Sequence, residues 1–115
     1  MTDAQARVHG CLLGGATGDA LGAAVEFLSL NEIEERYGPE GIREPDEAYG
    51  RRGVVTDDTQ LTLFTAEGLL RARATGSDEL DAQVRAVHHA YVRWLETQGF
   101  AVPDLGEPSP RGWLV

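Results

Sequence analysis

Two adjacent carboxylates between two hydroxyls, Thr56-Asp57-Asp58-Thr59, are the most chemically suggestive residues in this chain. They fall where a glycine-bearing loop gives way to a helical pattern. Together they form a group of hard oxygen donors of the kind that Mg²⁺ and Mn²⁺ take in octahedral sites. Neighbouring carboxylates repel unless a cation or the positive end of a helix neutralises them. The same residues also suit a structural role, with Thr56 or Asp57 capping the helix and Asp58 complementing its dipole. Glu26 is the second candidate, at the close of the run Gly18-Asp19-Ala20-Leu21-Gly22-Ala23-Ala24-Val25-Glu26. A glutamate at a helix end is ordinarily a solvated group. Asp19 stands within a stripe of small residues, where a carboxylate must find donors, either the next backbone turn or an arginine. That makes it as much a hydrogen-bonding residue as a catalytic one.

The histidines are His9, His88 and His89. Adjacent residues on a helix point about 100° apart, so His88 and His89 cannot share one metal from one face. No Ser-His-Asp arrangement is supported, and the glycines match neither a dinucleotide nor a nucleoside-triphosphate cradle.

The elements that must carry these residues read as helices. A first helix is predicted over Asp3 to Phe27, with Gly14, Gly18 and Gly22 recurring every four residues on one side. Each glycine inside a helix costs about 1 kcal/mol relative to alanine. The compensating gain is close approach of another helix or of a ligand to a backbone stripped of side-chain bulk. Ser29 three residues before Glu32 has the spacing of a capping box, introducing a short helix over Ile33 to Tyr37 that Gly38-Pro39 stops. Pro39 to Val55 reads as a loop, and loops of that length in compact domains are often functional. A second long helix is predicted from Asp57 to Ala74, with Leu61, Phe64, Thr65, Gly68 and Leu69 inward. A third, capped by Ser77, runs to about Gln98. Its apolar stripe is Leu80, Val84, Val87, Tyr91, Trp94 and Leu95, and its polar face holds Asp78, Glu79, Asp81, Arg85 and Arg93. Pro103, Pro108 and Pro110 then forbid a continuous helix. Nothing alternates with period two, so the expected class is all-α. The abrupt apolar ending Gly112-Trp113-Leu114-Val115 reads as a place where a longer chain is cut.

The totals bound the function classes. The 115 residues suit one compact domain. Ten Lys and Arg against nineteen Asp and Glu give a net charge of −9. Such a surface repels phosphate backbones and argues against a general nucleic-acid binder. It leaves room for a phosphate-bearing small ligand, because a bound cation or a helix N-terminus supplies a local positive field. The single cysteine, Cys11, excludes an internal disulfide, fits a reducing cytoplasm and is expected as a buried, inert thiol. The N-terminus lacks the basic run and apolar core of a signal peptide. The small-residue stretch from Cys11 to Leu28 contains Asp19 and Glu26, so it reads as a buried helix and not as a membrane span.

Two of these motifs, Gly14-Gly15-Ala16-Thr17-Gly18-Asp19-Ala20-Leu21-Gly22-Ala23-Ala24-Val25-Glu26 and Thr56-Asp57-Asp58-Thr59-Gln60-Leu61, lie about thirty residues apart. In that order and spacing the chain resembles the ADP-ribosylglycohydrolase family, and the likeness extends through Ala66-Glu67-Gly68-Leu69-Leu70. The resemblance implies the N-terminal part of a compact, orthogonal all-α fold enclosing two divalent ions, Mg²⁺ or Mn²⁺. It implies Thr56, Asp57 and Asp58 as metal ligands and Glu26 as the glutamate beside the ions, in a base-like or gating role. The implied reaction is hydrolysis of the ribosyl glycosidic bond of ADP-ribosylated proteins or small ADP-ribose conjugates.

The chain departs from the family pattern in length and in lacking a second Asp-x-Asp-Thr metal motif, since the only aspartate after Asp81 is Asp104. Two octahedral ions have about twelve ligand positions between them. The residues present make half of such a site, so residues 1–115 alone are expected to bind metal weakly and turn over little. A non-catalytic helical binding or dimerisation module is the alternative.

Overall fold

The computed structural model describes residues 1–76, 78–103 and 114. Among these the architecture is helical: α1 (Asp3–Gly22), α2 (Leu30–Tyr37), α3 (Asp57–Ala74) and α4 (Leu80–Thr97), with one hairpin of β1 (Glu47–Ala48) and β2 (Arg51–Arg52). The chain divides into two compact units, Met1–Thr59 and Gln60–Val115, the division falling after the third residue of α3. The expected Ser77 cap, Asp104, Pro108, Pro110 and the terminal Gly112, Trp113 and Val115 lie outside the described residues.

In the first unit, α1 opens with a capping box. Thr2 Oγ1 accepts the Gln5 N–H at 3.2 Å, and Gln5 Oε1 accepts the Thr2 N–H at 2.8 Å. The helix stops at Gly22, five residues before the predicted end. From there the chain tightens into turns whose bonds span three residues, Val25 N–H to the Gly22 carbonyl at 2.9 Å and Leu28 N–H to the Val25 carbonyl at 3.0 Å. Glu26 therefore sits on a turn beyond the helix, not on its last coil.

No residue of α1 is buried, which corrects the expectation of a buried helix, and Cys11 is exposed. The physical reason is that Ala, Leu and Gly are spread around the whole circumference of α1, so no single apolar face forms. A Cβ placed on Gly14, Gly18 or Gly22 meets no described heavy atom within 4 Å. The close approach inferred from their spacing is not made by the described residues.

The Ser29–Glu32 box forms as its spacing requires, with Ser29 N–H to Glu32 Oε2 at 2.7 Å and Glu32 N–H to Ser29 Oγ at 3.4 Å. A cap at Ser29 makes Leu30 the first helical residue, so α2 begins three residues earlier than predicted. The loop that follows is tied down at its middle. Asp46 Oδ2 accepts from Tyr37 Oη at 2.8 Å and Arg36 Nη2 at 3.0 Å, while Arg52 Nε donates to the Pro45 carbonyl at 2.7 Å. Between these anchors lies the hairpin, with Glu47 opposite Arg52 and Ala48 opposite Arg51. Two residues per strand are too few for period-two alternation to reveal. Its turn residues, Tyr49 (φ 51°) and Gly50 (φ 76°), both adopt positive φ, the requirement of a type I′ turn.

In the second unit, α3 and α4 pack through Phe64, Gly68, Ala72 and Ala90, all buried. Gly68 is the glycine that packing demands: a Cβ there would stand 2.8 Å from Val87 Cα and 3.0 Å from the Ala86 carbonyl oxygen. Trp94 Nε1 donates to Gln60 Oε1 at 2.9 Å, and the Thr65 and Tyr91 hydroxyls bond at 2.7 Å. Two expectations are corrected. Leu69, Leu80, Val84 and Tyr91 are exposed, because the contact is made by small residues instead of by the long apolar stripe. Arg93, assigned to the polar face, turns inward to Glu67, which is 3% exposed. Glu67 Oε1 accepts from Arg71 Nε at 3.1 Å and Oε2 from Arg93 Nη2 at 3.0 Å. A carboxylate on a packed helix surface is admissible only with such partners. Asp81 and Arg85 on the polar face are exposed as expected, whereas Asp78 and Glu79 precede α4, whose N-cap is Glu79 and not the expected Ser77.

Candidate active site at the start of α3

Helix α3 begins at Asp57, the predicted residue. Thr56 precedes it, buried, and its Oγ1 accepts the Asp58 N–H at 3.2 Å, which is the hydrogen bond of an N-cap. The Thr56 and Thr59 donors of this helix start are met from far along the chain. Asp19 Oδ1 accepts the Thr56 hydroxyl at 2.7 Å. Asp19 Oδ2 accepts the Thr56 N–H at 2.8 Å, the Thr59 N–H at 3.2 Å and the Thr59 hydroxyl at 2.5 Å. The donors that Asp19 had to find are thus two threonines, and neither an arginine nor its own next turn.

Burial pushes the Asp19 carboxyl upward, but the Thr59 and Thr56 hydroxyls and then their backbone N–H groups outweigh it, and its pKa falls below the ordinary carboxylate value. The carboxylate is therefore ionised and holds both threonine hydroxyls with their protons turned toward it.

Asp57 and Asp58 are exposed on the first turn of α3, where the helix N-terminus favours negative charge. Glu26 is also exposed, and its Oε2 accepts the Tyr49 hydroxyl at 3.2 Å. Burial first, then this bond and the charges of Glu26, Asp57 and Asp19, raise the Tyr49 phenol above its ordinary pKa, so it stays a donor. Those three carboxylates thereby all act on one phenol at the hairpin tip. Sequence reasoning did not single out Tyr49. The adjoining Gly50 was the available signal, as a residue suited to the second position of a tight hairpin turn.

Among the described residues no three His, Cys, Asp or Glu side chains gather closely enough to hold a metal ion. Beside the Asp57 and Asp58 carboxylates, the Thr56 hydroxyl is a further oxygen donor at this helix start. Its proton points to Asp19 and one lone pair accepts the Asp58 N–H, which leaves the second lone pair for a cation. With the Asp57 and Asp58 carboxylates this gives hard oxygen donors of the right chemistry for Mg²⁺ or Mn²⁺, enough for part of one octahedral shell. His88 and His89 lie on α4, with ring centroids 5.9 Å apart and planes tilted by 60°.

The helical class and a threonine-capped Asp-Asp helix start agree with the sequence reading, and the tie of that helix start to Asp19 is added by the structure. The chain belongs to the ADP-ribosylglycohydrolase family, whose profile matches residues 1–113. It is 34% identical over 110 residues to the ADP-ribosyl-[dinitrogen reductase] glycohydrolase of Rhodospirillum rubrum, an alignment covering 92% of this chain and 33% of that protein. It is also 40% identical over 68 residues to an uncharacterized protein of Archaeoglobus fulgidus, covering 57% of this chain and 22% of the relative. The chain thus spans about a third or less of the length of the curated relatives it matches. No solved structure matches it significantly. No described helix is long and apolar enough to cross a membrane.

Proposed function

We propose that this protein serves the hydrolysis of the ribosyl glycosidic bond in ADP-ribosylated protein side chains or small ADP-ribose conjugates, with Mg²⁺ or Mn²⁺ held in part by Thr56, Asp57 and Asp58. The observation that carries the reading is the Asp19-anchored helix start, which leaves one lone pair of Thr56 uncommitted beside two carboxylates in a member of this family. A divalent ion bound there would supply Lewis-acid polarisation of the ribose hydroxyls and of water. Glu26 acts as the base that takes the proton from the attacking water. Tyr49 occupies Glu26 Oε2, which fixes the carboxylate and leaves Oε1 to accept that proton. Asp57 and Asp58 bring the negative charge that concentrates a cation at this helix end, and the family's second acidic motif would complete the shell.

The test is release of ADP-ribose from an ADP-ribosylated peptide with Mn²⁺, in the longest natural chain that carries this sequence. Asp57→Ala should remove turnover and Mn²⁺ binding together, and Glu26→Gln should slow turnover by about 10²–10⁴-fold while Mn²⁺ still binds. Normal rates in Asp57→Ala would sink the ligand assignment.

One observation favours a second reading, a non-catalytic binding or dimerisation module. The exposed part of the α4 stripe forms a groove of about 380 Å³ lined by Leu69, Leu80, Val84, Val87, His88 and Tyr91, with Gln83 at its edge. On that reading Leu80→Asp and Val84→Asp abolish self-association seen by sedimentation, and Mn²⁺ with ADP-ribose produces no binding heat.

A further inference from the structure

We infer that Asp19 is a positioning residue for the metal site: it fixes which way the Thr56 hydroxyl points and so makes Thr56 a ligand. The inference rests on the assignment of Thr56, Asp57 and Asp58 as ligands in the preceding section. It adds a residue that touches neither ion nor substrate.

A threonine hydroxyl has one proton and two lone pairs, and it rotates to suit its surroundings. At most N-caps the hydroxyl accepts a backbone N–H and its proton is left to solvent or to whatever carbonyl is near. At Thr56 that freedom is removed. The Asp58 N–H fills one lone pair at 3.2 Å, and Asp19 Oδ1 takes the proton at 2.7 Å. The second lone pair is the only function of that oxygen left unassigned, and it is the one a cation needs. A carboxylate partner also makes the Thr56 oxygen more electron-rich, as an acceptor does for any metal-bound donor group.

The other oxygen of Asp19 has a separate task. Oδ2 accepts the Thr56 and Thr59 N–H groups and the Thr59 hydroxyl, and so fixes the first turn of α3 on which Asp57 and Asp58 stand. One carboxylate thus orients the neutral ligand with one oxygen and the helix bearing the two charged ligands with the other. Asparagine keeps one carbonyl oxygen for the backbone donors, but its amide would present a proton to Thr56 Oγ1 and fill the lone pair that a cation needs.

That inversion is the basis of the experiment, which reads Mn²⁺ affinity by electron paramagnetic resonance and the α3 start by Thr59 amide-exchange protection. Asp19→Asn should keep the amide protection and weaken Mn²⁺ binding by about 10–100-fold, the range for residues that orient a metal ligand. In a Thr56→Val background the same substitution should cost clearly less, only what loss of the Asp19 charge takes from cation attraction, because the group it orients is gone. Unchanged Mn²⁺ affinity in Asp19→Asn overturns the inference, and so does a loss of equal size in the Thr56→Val background, which would mean Asp19 acts on the helix alone. Unchanged affinity in Asp57→Ala overturns the ligand assignment itself. A measurement on the unsubstituted protein stands apart from how any variant folds. The Thr56 hydroxyl proton should be slow to exchange and visible by NMR, and its rapid exchange with water overturns the inference.

Discussion

Two carboxylates drawn in from the solvent, Asp19 in the first unit and Glu67 in the second, are stabilised by opposite means. Glu67 is neutralised by charge, between the guanidinium groups of Arg71 and Arg93. Asp19 receives four hydrogen bonds from two threonines, all of them neutral donors. The first arrangement more than offsets the Glu67 charge, leaving a net positive cluster against the packed helix surface. The second keeps a full negative charge behind a helix start that already carries Asp57 and Asp58. Charge of that kind is tolerated where a cation is to be bound and is wasteful elsewhere. The contrast separates a carboxylate held by opposite charge from one held by neutral donors, although both sit on helices and both are well bonded.

The contrast can be broken by experiment, and the largest effect is expected at Glu67. Glu67→Ala leaves two inward guanidinium groups without their carboxylate and should destabilise the chain by about 3–5 kcal/mol. Urea unfolding followed by circular dichroism measures it, and a change below 1 kcal/mol would show that the pair of ion bridges contributes no more than surface ones do.

Asp19→Asn comes next, with a loss on the order of 1 kcal/mol at neutral pH, and it sharpens the comparison through its pH dependence. The folded pKa of Asp19 lies below its unfolded value, so its stabilisation is present above the unfolded value and is lost as pH falls through the folded one. The stability gap between wild type and Asp19→Asn should therefore be constant from neutral pH to about pH 5 and close in stronger acid. A gap that persists at pH 2 would deny that the ionised carboxylate is the stabilising form.

The smallest effect is expected at Ser29, where the cap is local and exposed. Ser29→Ala should cost about 0.5–1 kcal/mol and lower helix content only around α2, which amide exchange would localise.

The capping signals were legible because they need only near neighbours. Ser29 and Glu32, three residues apart, form their box whatever the rest of the chain does, and Asp57 opens α3 at the predicted residue. The two-motif spacing likewise carried the family, since it depends on residue order alone. The turn at Glu26, the hairpin and its Tyr49 were not legible. A two-residue strand has no period, and the helix ended early by exchanging four-residue for three-residue bonds at Gly22. Apolar patterning misled on α4, where Gly68 and Ala90 bring the backbones together and leave Leu80 and Val84 outside.

What the sequence determined by itself about this protein is its family, its helical class, the start of α3 and the Ser29 cap, because each rests on interactions within a few residues or on the order of motifs. Only the tertiary structure decided the partners of its carboxylates. Asp19 reaches Thr56 and Thr59 across 37 and 40 residues, and Glu67 reaches Arg93 across 26. Charge and hydrogen-bonding capacity are written in residue types, but which donor meets which acceptor is settled only when separate helices come together.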